Sequence, residues 1–347
     1  MDILLDIGLT LLLLVGIVWA CTIFTNAIEW AGHRFQLSEG AVGSVLAAVG
    51  TALPETLVPL VALLAGVVSG GKISQEHGES IGVGAILGAP FLLSTLAMFV
   101  SGAAVIWFTR RSVRNIGMNL DIHLFRRDFH YFFVAYVLAI GGSFVSEPQV
   151  KYGIGGFLWG LYGFYVYKTL QIEHIPDDEF HLDPLTLAPR HEDPPTALIL
   201  AQAGLGLLLI LMFAHLFVED ISQMSHKLGI APLILSLIII PIATELPEKF
   251  NSVTWIGKGK DNLALSNMTG AMVFQSCIPT SFGLWFTPWH LDFQGLLSVM
   301  LCLASSVLIY LYALKNRRMT AYVLLWGGLF YLIFLGYSLS LVFEFGF

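Results

Sequence analysis

The sequence predicts an all-α polytopic membrane protein, and three observations lead there. Its 347 residues are 56% hydrophobic and only 12% charged, with a mean hydropathy of +0.78; an ordinary soluble domain is about 25% charged. The apolar residues fall in continuous runs near the roughly 20 residues that a membrane-spanning helix needs. A five-residue motif in the first half of the chain then returns in the second half, each time inside such a run. A barrel is excluded because the runs do not alternate with a period of two.

Ten runs are expected to span, at about 7–28, 40–68, 81–108, 130–146, 153–170, 196–218, 230–256, 263–287, 293–314 and 320–343. The chain begins Met1-Asp2-Ile3, without the positive region of a cleavable signal, so the first run is expected to be a retained helix. The positive-inside rule sets the orientation. With the N-terminus outside, thirteen basic residues fall in inner loops, among them Arg34, Arg110, Arg111, Arg114, Arg126, Arg127, Arg317 and Arg318; Lys72, Lys151 and Lys227 fall outside. The expected layout is N-out and C-out. Trp107, Trp285 and Trp289 are read as interfacial belt residues. Gly142–Phe144 and the glycines from Gly153 to Gly163 are read as helix-packing contacts.

One polar stretch, 171–195, divides the chain into halves of five helices, 1–170 and 196–347. Its Asp177, Asp178, Glu179, His181 and Asp183 lack EF-hand spacing and the glycine such a loop needs, so it is expected to be a solvated cytoplasmic linker. Cys21, Cys277 and Cys302 each sit in an apolar run, which excludes a disulfide scaffold. A net charge of −7 offers no face for nucleic acid. No His-Glu-x-x-His motif is present, and neither an enzyme activity nor a prosthetic group is expected.

The halves repeat internally. Thr51-Ala52-Leu53-Pro54-Glu55 returns as Thr244-Glu245-Leu246-Pro247-Glu248, and Glu79–Gly88 aligns without gaps on Asp261–Gly270. Five being odd, the second copy enters the bilayer from the opposite face, as in the inverted repeats of many secondary transporters. A carboxylate at a helix centre costs about 2.5–3.5 kcal/mol on insertion scales, so two at matched depth point to a polar task. Pro54 frees the carbonyl of Gly50 and Pro247 that of Ala243, because a proline has no N–H to donate four residues back. Thr51 and Glu55, like Thr244 and Glu248, are i, i+4 neighbours on one helix face. Hydroxyl, carboxylate and carbonyl oxygens of this kind are what a hard cation takes as ligands.

These paired motifs resemble the α-repeats of the sodium/calcium exchanger and the wider calcium/cation antiporter superfamily. That signature reads Gly-Thr-Ser-x-Pro-Glu, with Gly-Asn-x-x-Gly-Ser-Asn in the following helix. Gly50–Glu55 and Ala243–Glu248 match the first part. Ser266–Met272 matches the second in part, and Gly84–Pro90 more weakly. The close resemblance covers 38–95 and 231–283. It implies alternating-access exchange of inorganic cations in a cell membrane, the inner membrane if the source is bacterial. Glu55 and Glu248 would be the principal ligands, completed by Thr51, Thr244 and the backbone oxygens of Gly50 and Ala243.

The departures are specific. The signature serine is Ala52 in one copy and Glu245 in the other, and of the following helix's amides only Asn267 is kept. Ca²⁺ exported against Na⁺ or H⁺ is the leading expectation. A proton-coupled or otherwise divalent-selective exchanger without Na⁺ coupling is the first alternative, and a non-transporting sensor or scaffold of the same fold is the second. Glu245 is open to two roles, an added ligand or proton carrier, or a partner for Lys249 four residues on. Nothing in the sequence names an oligomeric state.

Overall fold

Ten helical rods follow one another among the described residues. They are α1 Ile3–Arg34, α2 Ala47–Val68, α3 Gln75–Arg110, α4 Ile122–Gly141 and α5 Pro148–Ile172, then α6 Thr196–Leu228, α7 Pro232–Gly257, α8 Asp261–Phe286, α9 Phe293–Asn316 and α10 Ala321–Phe345. The structure, a computed structural model, describes residues 3–34, 47–68, 74–172 and 183–345. A short antiparallel ribbon, β1 Gly117–Met118 with β2 Met319–Thr320, joins the α3–α4 and α9–α10 loops.

The helix ends follow local chemistry. Ser74 caps α3 by accepting from His77 N, Asp121 caps α4 by accepting from His123 N and Leu124 N, and Asp292 caps α9 by accepting from Gly295 N; each satisfies a backbone donor that has no partner within the helix. Gly229, at φ +65°, stops α6 in a left-handed turn, and Pro232 restarts the chain as the first residue of α7, where its missing N–H costs nothing. Within α3, Pro90 is followed by a π-helical turn, Leu93–Ala97. There Ser94 and Thr95 both donate to the Phe91 carbonyl. The prolines of α2 and α7 bring no break, and both helices run continuously through Pro54 and Pro247.

Packing obeys the repeat. If each helix is matched to the one five places later, α1 packs on α6, α2 on α7 and α3 on α8, each pair being its own counterpart. Most of the remaining contacts come in matched twos, among them α3 on α7 and α8 on α2, α4 on α8 and α9 on α3, α5 on α8 and α10 on α3. An inverted pair of five-helix units produces this pattern, and the expected fold class stands.

Among the described residues, five helices are apolar and long enough to cross a bilayer, including Ile7–Ile28, Thr196–Leu228 and Ala321–Ser340. Among the same residues, the apolar stretches of the motif helices α2 and α7 are Glu55–Ala65 and Pro232–Ile242. They sit among other helices, where buried polar groups find protein partners instead of lipid.

Three expectations are corrected. The fourth span begins at Ile122 rather than 130 and ends at Gly141, followed by a 3-10 turn at Gly142–Phe144. Its first two turns hold Arg126, Arg127 and Asp128, charges that a hydropathy count assigns to a loop. Trp289 is no belt residue: it is buried, and its indole N–H donates to the Ala139 carbonyl at 2.8 Å. Of the glycines from Gly153 to Gly163, only Gly155 meets a neighbour, Trp285. The described part of the linker, 183–195, is mostly exposed, as a solvated segment would be, yet it is tied to the bundle at several points. Trp30 donates to Asp183 O at 2.9 Å, Leu187 N donates to Gln202 at 2.8 Å, Arg34 pairs with Asp193 at 2.6 Å, and Leu185 is buried beside Trp30 and Ile199.

Candidate cation-binding site

All four helices that carry the repeated motifs touch one another: α2, α3, α7 and α8 make every one of their six possible pairings. Close approach of α3 to α7 depends on two glycines. A Cβ at Gly84 would stand 2.5 Å from the Leu233 carbonyl oxygen, and one at Gly88 would stand 2.5 Å from Pro241 Cγ. Only hydrogen fits there.

Of the residues expected to hold a cation, the structure describes the surroundings of Glu55, Thr244, Glu245 and Asn267. Glu55 in α2 is 4% exposed, Thr244 in α7 is 6% exposed and Glu245 beside it is fully buried. Thr244 donates its hydroxyl to Ile240 O at 3.1 Å, which leaves its oxygen lone pairs available as an acceptor or ligand. Asn267 in α8 is half-buried. Gly50, Thr51, Ala243 and Glu248 belong to the helices α2 and α7, but the surroundings of Gly50 and the side chains of Thr51, Ala243, Glu248 and Lys249 lie outside the described part of the structure. The proposed partnership of Glu245 with Lys249 is outside it too.

Glu245 has a partner that the sequence reading missed. Gln275 of α8 donates its side-chain N–H to Glu245 Oε1, and both groups are buried. The other amide atom, Gln275 Oε1, has no hydrogen-bond partner among the described residues. Gln275 lies eight residues after Asn267, about two turns along the same side of α8. Following the helix face from Asn267 in steps of four residues, past Ala271, would have found it. A bond between α7 and α8 is thus made by an amide at the edge of the motif and a carboxyl in place of the signature serine.

At the end of the bundle where α7 meets α8, the geometry is held from the first repeat. Arg114, in the α3–α4 loop, pairs with both carboxylate oxygens of buried Asp261, donates to Ile256 O at 2.8 Å and reaches Gly117 O at 2.9 Å. Asn119 N adds a bond to Asp261 at 2.9 Å. Bidentate pairing of this kind is the strong form of an Arg–carboxylate contact.

Two inverted five-helix repeats with buried carboxyls at their centre define a polytopic membrane carrier of inorganic cations. The chain belongs to the sodium/calcium exchanger protein family, whose pattern matches residues 5–171 and 198–342. It is 25% identical to a putative antiporter, CaxA, of Alkalimonas amylolytica over 297 residues, 82% of this chain and 82% of that protein. Its fold matches an H+/Ca2+ exchanger, CAX, with a TM-score of 0.72 at 19% identity, over 98% of this chain and 88% of that one. It also matches the sodium-calcium exchanger NCX_Mj with a TM-score of 0.58 at 19% identity, over 96% and 99% of the two chains. At these identities the structural likeness concerns the fold.

Proposed function

We propose that this protein exports Ca²⁺ in exchange for Na⁺ or H⁺ by alternating access, with the cation bound between the two repeats. Its ligands in this reading are Glu55 and Glu248, with Thr51, Thr244, the Gly50 and Ala243 carbonyl oxygens and Asn267 around them. The observation that carries the reading is the burial of Glu55 in α2 and of Thr244 and Glu245 in α7, inside four helices that all touch one another. Carboxyls so placed in a membrane protein are expensive to insert and are kept for ions or protons. An N-out, C-out orientation in the cell membrane, the inner membrane of a bacterium, completes the reading; the basic residues of the α3–α4 and α9–α10 loops support it.

One observation favours H⁺ over Na⁺ as the counter-ion. Where the family signature has a neutral serine, this chain has a fully buried carboxyl, Glu245, a group able to take up and release a proton. The amide ligands absent from the first repeat, replaced by Ala85 and Pro90, also leave fewer oxygens for several Na⁺ ions.

The test is radiolabelled Ca²⁺ uptake into proteoliposomes of the purified full chain, with Na⁺ and pH gradients imposed separately. Uptake driven by either gradient and lost in both Glu55→Gln and Glu248→Gln is expected. A pH gradient alone sufficing would select H⁺ as the counter-ion. Binding without uptake under both gradients would instead establish a sensor of the same fold.

A further inference from the structure

Among the described residues, Asp128 is the most deeply buried charge outside the motifs, 1% exposed in the second turn of α4. Three donors converge on it. Thr269 of α8 donates to Oδ2 at 2.6 Å, Tyr165 of α5 donates to Oδ1 at 3.1 Å, and the neighbouring Arg127 guanidinium donates to Oδ1 at 3.0 Å. Arg127 also lies over the Tyr165 ring at 5.3 Å. The carboxylate therefore ties α4, α5 and α8 together, with its charge matched by a neighbouring cation. Bonds of this charge-assisted kind are roughly twice as strong as neutral ones.

Thr269 sits inside the second repeat's motif, between Asn267 and Gln275. At 100° per residue it lies about 160° round α8 from Asn267 and about 120° from Gln275. A bond on that side fixes the rotation of α8 about its axis, and with it the direction in which Asn267 and Gln275 point. The aligned position of the first repeat carries no hydroxyl: Thr269 aligns with Leu87, which is buried and packs close to Gly295 of α9, the helix that corresponds to α4. There α3 is tied to α9 by neutral groups, Ser305 donating to Ser94 O at 2.6 Å, whereas α8 is tied to α4 by a carboxylate.

We propose that Asp128 is a positioning residue for cation exchange: through Thr269 it sets the rotation of α8 and so aims Asn267 and Gln275 toward α7. The proposal rests on the exchange function put forward above, and its test separates the two. A hydrogen bond to a charged group contributes about 1.5–3 kcal/mol, so losing it is worth about tenfold or more in cation affinity. In the reconstituted full chain, Thr269→Val, which keeps the shape and removes the hydroxyl, is expected to raise the half-saturating Ca²⁺ concentration about tenfold. Maximal flux should change by less than about twofold, because the ligands themselves are intact. Thr269→Ser should restore the wild-type value, and Asp128→Asn combined with Thr269→Val should be no worse than the poorer single variant, since both cut one link. A Thr269→Val protein that melts earlier with an unchanged half-saturation, or a Thr269→Ser protein that behaves like it, overturns the proposal. Hydrogen exchange in cation-free protein reads positioning without any cargo. Thr269→Val should speed exchange at residues 266–275 while leaving α6 as it was; equal exchange in α8 overturns the proposal even if wild-type flux is normal. If wild-type flux is absent but α8 loosens as expected, it is the exchange reading that fails.

Discussion

A carboxyl inside a bilayer is tolerated only where protein donors or a cation replace water. Glu245 shows how the requirement is met here: Gln275, one helix away, donates to it, and the contact joins the two halves of the second repeat's motif. The contact is compatible with both roles expected of Glu245, the Lys249 side chain lying outside the described residues. As a proton carrier Glu245 titrates during exchange, whereas as the partner of a lysine it is silent; the proton role of the proposed function is the one put to the test. Replacing Glu245 by Gln should therefore flatten the pH dependence of flux, and replacing Lys249 by Met should not restore it. Flux measured across a series of pH values in the two single variants and the double variant checks this. Recovery of wild-type flux and pH profile in the double variant would establish a silent Glu245–Lys249 pair instead.

At the scale of elements, the number and order of helices could be read from hydropathy because each rod presents an apolar face to lipid or core. Their limits and inner contacts could not. The start of α4 was hidden by Arg126, Arg127 and Asp128, which count as loop residues until Asp128 is seen to be buried and held by Tyr165, Thr269 and Arg127. Gln275 went unnoticed because one uncharged amide barely lowers the hydropathy of its run. Trp289 looked like a belt residue since position along the chain says nothing about the Ala139 carbonyl waiting for its N–H. The paired carboxyls were legible because repetition is a signal independent of hydropathy. The α3–α7 contact makes a sharp prediction at this scale. A methyl group at Gly88 would press on the Leu237 carbonyl and on Pro241, backbone and ring that have little room to yield. Gly88→Ala should cost about 1–3 kcal/mol, whereas Gly160→Ala, where nothing lies within 4 Å, should gain slightly in helix propensity. Thermal melting of the purified variants checks both, and equal melting of the two would contradict the close packing.

For the whole molecule, the inverted repeat is an architecture in which most helix contacts have a counterpart, yet the two copies are not chemically equal. The first repeat keeps Glu55 with Ala52, Ala85 and Pro90 around its motifs; the second keeps Thr244, adds Glu245, and holds α8 through Asp128 and the Arg114–Asp261 pair. The ribbon of β1 and β2 and the packed segment 183–195 tie the halves together beyond their helices. The central claim is that these unequal halves share one cation site, to which each contributes a glutamate. Equilibrium binding of Ca²⁺ to the detergent-purified full chain tests it most directly, comparing the wild type with Glu55→Gln and Glu248→Gln at matched thermal stability. The account predicts saturable binding in the wild type and at least a tenfold weakening in each single variant, an effect on the order of 1.4 kcal/mol or more. Wild-type affinity in either variant would contradict it.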